Sequence, residues 1–123
     1  MTPRTAKESA IHILAELCAG RLGAMGGYDC VYEDAQGLHC GVGCLFTPDQ
    51  HKWIKDRGLS NVSVSALEEE IGEDNMAFVS GMCMGQLTTL QGLHDGWAQA
   101  NHYESDRRRA RLKRFLEKII AAE

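Results

Sequence analysis

Apolar residues recur at three- and four-residue steps at both ends of this chain, and no other feature constrains the fold as strongly. From Thr5 to Ala19 the pattern is helical: Ile11, Leu14, Cys18 and Leu22 lie along one stripe, and Gly20 stands where a helix commonly stops. Near the other end Ser105 can cap a helix in which Leu112, Phe115, Leu116, Ile119 and Ile120 make the apolar stripe. A chain of 123 residues bracketed by two such helices is expected to close one core as a single domain, 1–123.

Between these helices the pattern changes. The segment from Gly20 to Gly27 is too rich in glycine to continue a helix and reads as a loop, and it lacks the Lys-Ser/Thr ending of a phosphate-cradling loop. Tyr28 to Tyr32 and Leu38 to Val42 flank a polar segment, Glu33 to Gly37, and predict a short β-hairpin that must lie against helices. Thr47-Pro48-Asp49 predicts an N-cap and a short helix to about Lys55, ending before Gly58. Ser63 or Ser65 caps a further helix to Ile71, ahead of Gly72. The fold class is therefore mainly α (α+β), with four to five helices packed on a short β-hairpin.

The longest helical candidate runs from about Asn75 to Ala100. At about 100° per residue Cys83, Leu87, Leu90, His94 and Trp97 share a stripe, and Gly81, Gly85, Gly92 and Gly96 fall on nearly the opposite one. Each glycine costs a helix interior about 1 kcal/mol relative to alanine. Two readings stay open: another backbone approaches closely along that face, as in a homodimer, or the glycines divide the segment into two short helices.

Charge limits the range of partners. The net charge is −4, yet Glu104 to Glu123 carries seven basic against four acidic residues, with the run Arg107 to Arg114 at its centre. The acidic body weakens approach to a polyanion, so nucleic acid is not the expected partner and the basic run reads as a solvated helix face. No stretch approaches the roughly 20 apolar residues of a membrane span, and no apolar run follows the charges of Met1 to Ala10. Five cysteines without a secretion signal read as thiols in a reducing compartment, which places the chain in the cytoplasm, or in the host cytoplasm if it is phage-encoded.

Three groups of residues are able to carry chemistry. Cys30, Cys40 and Cys44, with His39 beside them or the distant His94 as fourth ligand, offer a tetrahedral zinc set. Their spacing lacks the short two-cysteine knuckle of structural zinc sites, so no cofactor is expected, zinc being the one ion the cluster suits. Burial as small hydrophobes is the alternative for these thiols. His94 and Asp95, with Cys40 or Cys44 as nucleophile, would make a Cys–His enzyme for acyl or glycosyl transfer. Against it, adjacent helical residues point about 100° apart, which makes Asp95 a poor orienter of His94. Tyr28, Tyr32, Phe46 and Trp53 surround the cysteines and suit either a pocket or a core.

Cys30-Val31-Tyr32, Gly37-Leu38-His39-Cys40, Gly43-Cys44-Leu45-Phe46 and Asp49, followed by Leu90-Gln91 and His94-Asp95, resemble a family of small phage and prophage proteins. That family shows a C-x-Y segment, then G-x-x-C-x-x-G-C-L with an acidic residue after a proline, then L-Q-x-x-H-D. The match runs from Cys30 to Asp95. The resemblance implies a mobile-element origin and a coupling of these positions in space, and it carries no activity with it. The expected function is a phage-type accessory protein acting as a binding module that contacts a host protein or sequesters a small ligand. Tyr32, Cys40, Cys44, Gln91, His94 and Asp95 are the candidate ligand-binding residues.

Overall fold

The computed structural model describes residues 5–23, 25–26, 29–60, 62–71, 81–100 and 103–122. It is mainly helical, with α1 (Ala6–Cys18), α2 (Pro48–Asp56), α3 (Val64–Ile71), α4 (Met84–Ala98) and α5 (Ser105–Ala122), and a 3-10 turn at Gly43–Leu45. Two-residue strands, β1 (Met25–Gly26) and β2 (Asp29–Cys30), pair antiparallel. Among the described residues no helix is long and apolar enough to cross a membrane.

Local chemistry sets the helix starts. The Thr5 hydroxyl accepts from the Glu8 N–H while Glu8 accepts from the Thr5 N–H, both at 3.1 Å, and Thr47 and Gln50 repeat the arrangement before α2. Each reciprocal cap contributes about 1 kcal/mol by satisfying amides that a helix start leaves open. Ser63 accepts from the Ala66 N–H ahead of α3. The chain enters α5 one residue earlier than expected: Ser105 is already helical and the Arg108 N–H donates to the Glu104 carbonyl.

The core is organised on α5, against which both α1 and α4 pack, with α3 lying on α4. Leu112 and Leu116 of α5, Ile13 of α1, Leu90 of α4 and Leu67 of α3 are all fully buried. The α5 stripe is the expected one. The α1 stripe is rotated: Ala6, Ser9, Ala10, Ile13 and Leu17 face inward, while Ile11 is 48% exposed and Cys18 is at the surface. Small residues at 6, 9 and 10 let α1 approach its neighbours closely, and dense packing outweighs the isolated hydrophobicity of Ile11.

The expected hairpin does not form as two strands. Its arms meet at one bridge, Glu33 opposite His39, flanked by Asp34 N–H to Leu38 O at 2.9 Å and Cys40 N–H to Tyr32 O at 3.2 Å. The ladder stops there because neighbouring amides are taken elsewhere: Tyr32 N–H donates to Ser60 O and His39 N–H to Arg21 O. Tyr28 lies outside the described residues.

The long helix begins at Met84, since Gly81 takes a left-handed φ of 67° and Cys83 is extended; Asn75 lies outside the described residues. Gly81 thus leaves the glycine stripe, and Gly85, Gly92 and Gly96 keep it. Among the described residues no backbone makes the close approach that was one of the two readings of that face. A Cβ at Gly92 would meet nothing within 4 Å, and one at Gly96 would meet only Arg108 Nη1 at 3.4 Å. Close approach occurs instead at Gly43, where a Cβ would stand 2.1 Å from the Tyr32 carbonyl oxygen.

These two glycines predict opposite outcomes for one substitution. Gly92→Ala adds a methyl in open space to a helix interior and should stabilise by about 0.5–1 kcal/mol, raising Tm by roughly 2–4 °C. Gly43→Ala must displace backbone and should destabilise by about 3 kcal/mol or more. Thermal melts of the two variants check both signs.

Candidate functional site

Residues 31–46 form a folded loop held by side chains. The Asp34 carboxylate accepts the amides of Gln36 and Leu38, each at 2.9 Å, and Gly37 at φ 85° closes the turn. The Tyr32 hydroxyl donates to Val62 O at 3.0 Å. Beyond the turn the chain coils tightly, with Cys44 N–H to Cys40 O and Gly43 N–H to Cys40 Sγ at 3.1 Å.

This loop packs on α4 at the His-Asp block, so the two motif blocks meet in space. A Cβ at Gly41 would touch the Leu90 side chain and lie 3.3 Å from His94 Cβ. Val42 N–H donates to Gln91 Oε1 at 3.2 Å, and Gln91 Nε2 donates to Asp95 Oδ1 at 3.3 Å. His94 is fully buried. Its Nε2 accepts the Gly23 N–H at 3.1 Å, so the ring proton is on Nδ1, which donates to Asp95 Oδ1 at 3.0 Å. Trp97 closes the edge of the ring at 5.7 Å. Asp95 therefore does orient its neighbour, contrary to the 100° argument, its carboxylate turning back to accept from the adjacent ring.

The sulfurs are spent inside the loop. Cys40 is fully buried, and burial pushes its thiol up to about 12 despite the amide hydrogen bond from Gly43. Burial likewise raises the Tyr32 hydroxyl, with smaller contributions from Cys40 and Asp95. Cys44 Sγ donates to Gly41 O at 3.3 Å, and the Cys44 carbonyl accepts from His12 Nε2 at 3.0 Å. Of the candidate zinc ligands Cys30, Cys40, Cys44 and His39, the described ones do not converge on a common point: Cys40 and Cys44 face amides and a carbonyl, and His39 turns to other partners. The Cys30 side chain lies outside the described residues. The His94 Nε2 that a Cys–His pair would use as its base accepts the Gly23 N–H.

His39 belongs to a different cluster. Its Nε2 pairs with Glu33 Oε2 at 2.8 Å, and its ring stacks on that of His51, centroids 4.9 Å apart and nearly parallel. His51, on α2, is 4% exposed and donates from Nε2 to the Gly43 carbonyl at 2.8 Å. Lys55, one turn further along α2, holds the other oxygen of Glu33. That bond to Lys55, with the His39 hydrogen bond, lowers the Glu33 carboxyl to about 2. Burial lowers His51 below its ordinary value, which keeps it neutral. One ligand atom from each of Glu33, His39 and His51 lies within 4.8 Å of the others. Glu33 and His51 were not singled out by the sequence; the signal available was the Asp34–Gly37 turn, which folds residue 33 onto residue 39.

On the far side of α4, Gly92, Leu93, Gly96, Arg108 and Arg111 line a notch of about 140 Å³. Arg108 donates to the Gly96 carbonyl at 3.1 Å and pairs with Glu104, while Arg111 is exposed. Compared with protein-family models, curated proteins and solved structures, the chain matches none.

Two outcomes follow from this geometry. In a Cys30→Ser background, a thiol reagent should modify the exposed Cys18 and Cys83 rapidly and reach Cys40 and Cys44 only after denaturation; fast native labelling of Cys44 contradicts the packing described. Acid should act in two steps on chelator-treated protein. The unfolded chain protonates His51 near 6.5, so its contribution is intact above that pH and is lost as pH falls towards the lower folded value. The contribution of Glu33 is intact above 4.5 and lost between 4.5 and about 2. Tm measured against pH in wild type and His51→Gln should show the first step only in wild type.

Proposed function

We propose that this chain is a small accessory protein of the phage type that acts by binding a partner rather than by catalysis. The observation that carries this reading is the closed state of the motif residues. His94, Asp95, Gln91 and Cys40 each hold one another or a loop amide, and the thiol most deeply placed among them is pushed up to about 12. A nucleophile needs a lowered pKa and an adjacent base. These residues have neither, and their effect is to fix the surface of the molecule. The Cys–His alternative would require His94 to release Gly23.

The surface favoured for the partner is the α4–α5 seam. Gly92 and Gly96 leave α4 without side chains there, and Arg111 is exposed beside them. At about 140 Å³ the notch falls below the roughly 300–1,000 Å³ of small-molecule pockets, so a host protein with an acidic side chain fits better than a sequestered ligand. A second copy of the chain could use the same face, since a Cβ at Gly92 would meet nothing within 4 Å and a helix can come close there.

The test is capture of a host protein on immobilised chain, followed by re-binding of the purified partner. Gly92→Leu with Arg111→Glu changes only the seam and should abolish binding, whereas Cys44→Ala should retain it. The reverse pattern would return the function to the sulfur cluster. Light scattering on wild type and Gly92→Leu decides the homodimer: a dimer that the variant splits places the second copy on this face, and a wild-type monomer removes it.

A further inference from the structure

We propose that Glu33, His39 and His51 form a binding site for a divalent transition-metal ion of the zinc class. Two imidazoles and a carboxylate offer the N2O donor set that zinc and its neighbours accept, with remaining positions open to water. The three ligand atoms already lie within 4.8 Å of one another. Tetrahedral ligands about 2.1 Å from zinc stand about 3.4 Å apart, so the cluster needs to contract by roughly an ångström. Glu33 and His39 sit on a loop with side chains 23% and 27% exposed, which leaves them room to move and leaves the ion a way in.

The surroundings of His51 fit a ligand. Its Nε2–H is held by the Gly43 carbonyl, so Nδ1 carries the lone pair. A histidine whose second nitrogen donates to a backbone carbonyl is oriented as metal-binding histidines commonly are. The rings of His39 and His51 stack nearly parallel with centroids 4.9 Å apart, which places both imidazoles on the same side of the Glu33 carboxylate as an ion would need them. On binding, the ion displaces any proton shared between His39 and Glu33 and takes over from Lys55 as the counter-charge of Glu33.

Lys55 makes the test two-sided. Chelator-treated chain is titrated with Zn2+ by calorimetry and with Co2+ by visible absorption, with folding of every variant checked by circular dichroism. Wild type should bind one ion per chain with ligand-field bands and without a sulfur-to-cobalt charge-transfer band. Glu33→Gln and His39→Gln, both at partly exposed positions, should each weaken binding by about tenfold or more. Lys55→Met removes a competitor for the carboxylate and should tighten binding. Unchanged affinity in Glu33→Gln and His39→Gln, a sulfur charge-transfer band, or no gain of affinity in Lys55→Met overturns the site.

Discussion

A buried backbone amide must find an acceptor, and in this protein side chains supply it where secondary structure does not. Among its described residues, the stretch from Gly20 to Phe46 has a ladder limited to the β1–β2 pair and isolated bridges. Its amides at Gly23, Val42 and Gly43 go to His94 Nε2, Gln91 Oε1 and Cys40 Sγ, and its carbonyls at Gly43 and Cys44 take protons from His51 and His12. An unsatisfied buried group costs about 1–3 kcal/mol, so this set of bonds decides whether the loop folds at all. The histidines and cysteines that look like chemistry in the sequence are largely the means by which a coiled loop is held against helices.

The helices were legible because their signals are local. Thr47-Pro48-Asp49 marks a start by chemistry confined to one turn, and the α5 stripe of Leu112, Leu116 and Ile119 repeats often enough to fix its phase. The α1 phase was not legible: the buried side is led by Ala6, Ser9 and Ala10, whose value lies in the space they leave, and no hydropathy pattern records that. The hairpin failed for a related reason. Its alternation is present, but pairing depends on where the amides of Tyr32 and His39 go, and Ser60 and Arg21 claim them from distant parts of the chain.

At the candidate site, the sequence brought Cys40, Gln91, His94 and Asp95 forward, and they do meet. It assigned His39 to the sulfurs, whereas His39 pairs with Glu33 and stacks on His51. That grouping joins a turn to a helix that begins after it, and neither member of the pair Glu33 and His51 stands out by spacing. Gly41 and Gly43 are the tight positions, while on the face of α4 that offered a close approach Gly92 stands open and Gly96 lies under the Arg108 guanidinium.

The bond from Gly23 to His94 has a further consequence for how the molecule opens. An amide held by its neighbours in a loop exchanges whenever that loop loosens, but one held by a side chain of α4 is released only when the loop swings clear of the helix or the helix itself melts. Gly23 and Val42, nineteen positions apart and in no regular element, thereby join the cooperative unit of a helix that lies some fifty to seventy residues further on. The loop is, in its kinetics, part of α4.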